Sequence, residues 1–185
     1  MKRIILGAII GVCVSMSAVV AQEHPGHQSH AKQMNEVQRY EVAPAFQQQL
    51  NAAYRQALKL NEAFVASDAA AVKTAAAAML EKVNAIDMGL LKGEAHMAWM
   101  QYQQPLQTGL QQITATADIA KQRELFAEVN QNLHRAIKAF GVGETVYYQY
   151  CPMYKAGWLS NTEEVNNPYY GSKMLKCGST KETLN

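Results

Sequence analysis

From Pro44 to Gly141 the apolar residues return every three or four positions, the period of helices packed on one face. Phe46, Leu50, Ala53, Ala57 and Phe64 form the first stripe. Pro44 suits a first helical turn, where its missing N–H would have no partner anyway. Ser67-Asp68 reads as a cap. It opens an alanine-rich second helix with Val72, Ala76, Met79, Val83 and Ile86 on its apolar face, before Gly89 or Gly93 breaks the pattern. A third helix is expected from about Leu90 to Thr114, bent near Pro105. Its inward face is Leu91, Ala95, Ala98, Tyr102, Leu106 and Ile113. Asp118 caps a fourth helix whose face is Leu125, Phe126, Val129, Leu133, Ile137 and Phe140. Gly141 ends it. Four amphipathic helices on short turns predict an all-α protein, an antiparallel four-helix bundle.

The pattern changes after Gly141. Val146-Tyr147-Tyr148-Gln149-Tyr150 is rich in β-formers, and aromatics, turn residues and sulfur side chains then alternate to Gly178. A disordered tail would not carry so many Tyr and Trp. The expectation is an ordered, loop-rich Cys/Met segment packed on the bundle, the two together forming one domain over residues 43–185.

The N-terminal end has two different characters. Lys2 and Arg3 precede an uncharged run from Ile4 to Val20, which closes on Val19-Val20-Ala21. This is the pattern of a secretory signal peptide, expected at residues 1–21. Gly7, Gly11, Ser15 and Ser17 interrupt the run and argue against a retained anchor. A lipoprotein cut at Cys13 fits less well, because Val12 is larger than the residue such sites prefer. Residues 22–42, with His24, His27 and His30, read as a flexible lead-in. The chain has 17 basic and 15 acidic residues. Cleavage removes two of the basic ones, so the mature part is neutral and carries no nucleic-acid footprint. No second apolar run has membrane-spanning length. The expected location is the periplasm.

Three groups of residues carry candidate chemistry. Cys151 with Met153, and Met174 with Cys177, place two thiols and two thioethers in one segment, a set that favours a soft ion such as Cu(I). The plain alternative is a Cys151–Cys177 disulfide, as an even pair of cysteines in an oxidising compartment suggests; in the chain-entropy picture it would contribute ~3.5 kcal/mol. His96 and Met100, four apart on one helix face, would complete a soft site or else be ordinary helix residues. His134, flanked by Leu133 and Ile137, reads as a bystander. At the new N-terminus, a free Gln22 amine followed by Glu23 and His24 offers four nitrogens in a plane, which suits Cu(II). The alternative there is a solvated tag. The sequence lacks a Glu-x-x-His pair, a Cys-x-x-Cys-His haem motif, a His-Glu-x-x-His motif, a phosphate-binding glycine loop and a Gly-x-Ser-x-Gly elbow. It is not read as an enzyme.

Several stretches resemble a family of periplasmic helical domains of unknown function. These domains occur alone or fused to the C-terminus of adaptor subunits of copper/silver efflux pumps of the RND type. The matching stretches are Leu91 to Met100, Gln122 to Phe126, Val146 to Met153, Gly157 to Ser160, Asn167 to Gly171 and Met174 to Gly178. Cys151-Pro152-Met153 is also similar to the core of heavy-metal-binding modules. The compact Tyr154-Lys155-Ala156 departs from the family, which often has Ala after Cys-Pro-Met and a longer insert. The resemblance implies metal handling: Cu(I), or Ag(I), bound by Cys151, Cys177, Met153, His96, Met100 and Met174, with an efflux adaptor or pump as partner. Trp99, Trp158 and Tyr170 would shield such a site. The rival is a disulfide-stapled envelope protein that binds only another protein.

The N-terminal site has its own test. Protein with a free Gln22 amine is expected to bind one Cu(II) with a visible d–d band. A band that survives both His24→Ala and cyclisation of Gln22 would rule the planar site out.

Overall fold

The computed structural model describes residues 37–185; the expected signal peptide and Gln22, Glu23 and His24 lie outside them. Helices α1 (Pro44–Ala66), α2 (Ala69–Asn84), α3 (Gly93–Ala115) and α4 (Ile119–Phe140) follow in order. Their ends are chemical. Asp68 accepts from the N–H groups of Ala70 and Ala71 at 3.0 Å, and Asp118 from Ala120 at 2.9 Å, so each satisfies otherwise orphaned donors. Gly141 ends α4 at a φ of 70°, which costs glycine little. α3 continues through Pro105.

Each helix packs against the next in sequence, as short connections require. The core has an aromatic cluster at either end. At one, Phe46 meets Trp99 edge-on at 5.4 Å and Phe140 at 5.2 Å; at the other, Phe64 lies 4.3 Å from Phe126. The fully buried Leu50, Leu60, Val72, Met79, Leu106, Leu110 and Leu133 fill the space between. No helix among the described residues is long and apolar enough to cross a membrane.

Two expectations are corrected. The segment after Gly141 holds, among its loops, a three-stranded antiparallel sheet that was not expected: β1 (Val146–Cys151), β2 (Ala156–Ser160) and β3 (Ser179–Leu184), in the order β2-β1-β3. The protein is mostly helical but not all-α. β1 carries the aromatic and β-branched signal. β3 is polar, with only Leu184 buried, and pairs because β1 has a second edge to satisfy. The second correction concerns the end of the lead-in, which does pack. Tyr40 stacks on Phe140 at 5.5 Å, and its N–H reaches the Ala139 carbonyl at 2.8 Å.

The sheet is tied to α4 by His134. Its ring stacks on Tyr148 at 3.9 Å, and its Nε2 lies 2.8 Å from Glu182 of β3. Lys138 donates to the other oxygen of that carboxylate at 2.6 Å. Burial pushes the His134 pKa down, and the pull of Glu182 does not reverse this, with Lys138 and Arg135 adding repulsion. Burial opposes the Glu182 carboxylate as well, but there Lys138 and His134 outweigh it and hold the pKa below its usual range. A neutral His134 therefore donates N–H to Glu182, and Lys138 supplies the counter-charge.

Both pKa values are lower in the folded chain than in the unfolded one, so on acidification the unfolded state takes up protons first. The His134 contribution is complete above the ordinary histidine value of 6.5 and is lost as pH falls below it; the Glu182 contribution fails below 4.5. Urea unfolding at a series of pH values should show stability declining from neutrality to pH 5. His134→Gln, which keeps a neutral donor, should flatten that decline. An unchanged pH slope in the variant would disprove the assignment.

Candidate metal centre

Cys151 is the last residue of β1 and is fully buried. The chain turns directly after it, with Lys155 at a φ of 58° and its N–H on the Cys151 carbonyl at 2.8 Å. That turn aims the Tyr154 N–H at the Cys151 sulfur, 3.4 Å away. Cys177 is brought in from the far side by the approach to β3. Its N–H bonds the Met174 carbonyl at 3.0 Å, and its own carbonyl accepts from Asn167 Nδ2 at 2.6 Å. Next to it Gly178, at a φ of 148°, lies against the Trp158 ring and the Tyr150 carbonyl, so that a Cβ would come within 2.7 Å of the ring. Only glycine fits that approach.

The two cysteines are free, with sulfurs 3.3 Å apart. Burial works against a Cys151 thiolate. It is outweighed by donors around the sulfur: the Tyr154 N–H, the Cys177 thiol, the Asn167 amide and the Met153 N–H. The Cys151 pKa falls below that of an ordinary thiol. Cys177 moves the opposite way, first because its S–H is held by Cys151, then through burial and the neighbouring negative charge. The pair thus favours one thiolate at Cys151 with the remaining proton on Cys177. An electron-rich sulfur ringed by N–H donors, beside a second thiol, is suited to ligate a metal or to exchange with a disulfide.

The remaining expected ligands divide into two groups. Met153 follows Cys151 in the turn and is 63 % exposed, and Met174 is 36 % exposed three residues before Cys177. Both are near their cysteine along the chain and are not needed in the core.

His96 and Met100 do not join the pair. His96 lies in the first turns of α3, its Nδ1 3.3 Å from the Met88 carbonyl; Met100 faces outward, 46 % exposed. Three residues beyond His96, Trp99 packs into the Phe46/Phe140 end of the core. The cysteine turns lie at the other end, where Tyr169 packs on Phe126 and Tyr154 and Arg123 bonds the Phe64 and Pro168 carbonyls. Phe126 and Phe140 are separated by roughly 20 Å of α4 at the helical rise. Among the described residues no three His, Cys, Asp or Glu side chains come together as a metal cluster. The idea of a histidine borne on α3 as one of the next ligands after the two cysteines is therefore corrected: a shared helix face brought His96 beside Met100, but α3 carries them at the end of the bundle away from the cysteine turns. Trp99 likewise shields nothing here. The other two expected there, Trp158 and Tyr170, do lie on the cysteine side, Trp158 against Gly178 and Tyr170 edge-on to Tyr154 at 5.9 Å.

The residue that sequence reasoning passed over is Asn167. It is fully buried, its Nδ2 holds the Cys177 carbonyl, and its Oδ1 accepts the Tyr169 N–H at 2.8 Å. The Asn-Pro dipeptide was its signal, since asparagine before such a turn bonds the backbone two residues on.

No curated protein and no solved structure matches the chain. A family model described as "Protein of unknown function (DUF3347)" matches residues 53–145. The match takes in most of the bundle, including His96 and Met100, and stops before Cys151. Over that half of its length the chain belongs to the DUF3347 family, a helical domain whose function is unknown.

Proposed function

We propose that the protein is exported to the periplasm and there holds or hands on Cu(I), or Ag(I), in copper homeostasis or efflux. The observation that carries this reading is the facing pair of free thiols, 3.3 Å apart, with the Cys151 thiolate favoured by the N–H groups around it. Cys151 and Cys177 are the ligands. Met153 and Met174 are thioethers exposed next to them, soft donors that a Zn²⁺ site would rarely use. The ion would replace the proton that the two sulfurs share, so binding releases protons and strengthens as pH rises. A site built from two turns that meet only in the fold binds the folded chain alone, and so stabilises it by mass action, ~4 kcal/mol at a thousandfold excess over Kd. A heavy-metal efflux adaptor or pump is the partner this reading proposes, and it assigns no catalytic step.

The same 3.3 Å contact favours a second reading, in which Cys151 and Cys177 are oxidised to a disulfide and the domain only binds another envelope protein. The two exclude each other in any one molecule, because a disulfide leaves no thiolate to ligate.

Anaerobic titration of reduced protein against a chromogenic Cu(I) chelator separates them. One Cu(I) should bind, and the loaded protein should melt higher. Cys151→Ser should lose most of the affinity and Met153→Leu a smaller part, while His96→Ala should lose none. Reduced protein with no Cu(I)-dependent shift would leave the disulfide reading in possession.

A further inference from the structure

The two thiols are brought together by the fold and not by a bond between the sulfurs. Cys151 is placed by the end of β1 and by the turn after it, where its carbonyl accepts the Lys155 N–H at 2.8 Å. Cys177 is placed from its own side. Its N–H bonds the Met174 carbonyl at 3.0 Å, and its carbonyl accepts from Asn167 Nδ2 at 2.6 Å. Asn167 is fully buried, so this hold on Cys177 does not involve either sulfur. The sulfurs face each other at 3.3 Å while both cysteines are free. Reacting atoms kept at such a separation combine with each other far faster than with a reagent in solution.

The two sulfurs differ in what can reach them. Cys151 is fully buried, whereas Cys177 is half-buried and only partly packed on the core. A molecule arriving from solvent therefore meets Cys177 first, and a slim one meets it most easily. They differ also in how charge is met. The Tyr154 N–H points at the Cys151 sulfur from 3.4 Å, and a fixed backbone dipole stabilises negative charge that develops there. In thiol–disulfide exchange the sulfur attacked and the sulfur expelled are different atoms, and a stabilised leaving thiolate speeds the step. Access selects Cys177 as the sulfur attacked. The turn selects Cys151 as the one that leaves.

We propose that the pair is an exchange centre for small aliphatic disulfides and thiols, in which Cys177 meets the outside reagent and Cys151 closes and opens the bond. In the oxidising direction the Cys177 thiolate attacks a disulfide RSSR, expels RS⁻ and becomes a mixed disulfide with R. The Cys151 thiolate then attacks the Cys177 sulfur and expels the second RS⁻. One RSSR and two protein thiols give one protein disulfide and two RSH, so two electrons and two protons pass to the reagent. In the reducing direction RS⁻ attacks Cys177, and Cys151 leaves as a thiolate facing the Tyr154 N–H. A second RS⁻ then frees Cys177 and departs as RSSR. The inference shares its thiols with the metal reading but does not rest on it. It makes the two exclusive forms of the pair interconvertible: closing the bond removes both thiolate ligands, and opening it restores them.

The test takes the full chain, reduced and stripped of metal by a chelator, with bis(2-hydroxyethyl) disulfide as the reagent. Acid-quenched samples are read by intact mass. The protein should lose two hydrogens, and 2-mercaptoethanol should reopen the bond without denaturant. Cys151→Ala should stop at a single adduct on Cys177, while Cys177→Ala should react at least about tenfold more slowly than the unaltered chain. A brief iodoacetamide pulse on the unaltered folded protein gives the answer if either variant fails to fold. Peptide mapping should then find Cys177 labelled at least about tenfold over Cys151. Labelling of Cys151 first, or a bond that opens only after unfolding in urea, would overturn the proposal. No metal is present in any arm, so failure here leaves the Cu(I) titration standing, and failure to bind Cu(I) leaves this result standing.

Discussion

Tyr169 donates its buried hydroxyl to the carbonyl of Gly157, and the arrangement of the C-terminal third depends on that bond. The ring is almost wholly buried. Burial drives its pKa well above the ordinary tyrosine value, so the hydroxyl stays a donor at any working pH. From that position the ring stacks at 4.3 Å on Tyr154, in the turn after Cys151, and meets Phe126 of α4 and Trp158 of β2 at about right-angled or tilted contacts near 6 Å. Its N–H is taken by Asn167, which also holds the carbonyl of Cys177. One side chain thus joins the bundle, the outer edge of the sheet and both cysteine turns. An unpaired carbonyl buried at that edge would cost on the order of 1–3 kcal/mol, which is why the hydroxyl matters as well as the ring.

The thiol pair follows from this anchorage. Two sulfurs 26 residues apart meet at 3.3 Å because a strand end and a strand approach are pinned to the same tyrosine–asparagine frame. The N–H groups that favour the Cys151 thiolate belong to the turn that the frame holds. A looser loop would leave those donors to water and return the thiol to ordinary behaviour. Rigid backbone donors do here what a neighbouring lysine or histidine does in other reactive thiols. They do it without adding charge to a buried position.

The outer edge of β2 raises a general problem of small sheets, since a free edge invites pairing with another chain. Here the edge is closed by two side chains from outside the sheet, Tyr169 and Asn61, and the opposite edge, β3, exposes Ser179, Thr180, Lys181 and Thr183 and keeps Glu182 half-buried against α4. Closing an edge with a carboxamide has a consequence: the nitrogen is used and the oxygen remains. The same happens at Gln149, whose nitrogen gathers the 162–164 carbonyls.

The sequence by itself determined the helices. Their apolar period, Pro44, the capping aspartates at 68 and 118 and Gly141 are local signals, read within a turn or two of the chain, and the observed ends fall within a few residues of them. It also marked Cys151, Met153, Met174 and Cys177 as one group, since each pair is adjacent along the chain. The tertiary structure decided what local signals cannot carry. β3 is polar and takes strand form only because β1 offers it an edge. Tyr40, in a polar stretch, is recruited by the exposed face of Phe140. His96 and Met100 share a helix face with each other, as their spacing requires, but which end of the bundle meets the cysteine turns depends on how the chain after Gly141 runs along α4, and periodicity is silent about that. Asn61, Gln149 and Asn167 looked like ordinary polar residues. Each is buried by partners 98, 15 and 10 residues away, and only the fold brings those partners within reach.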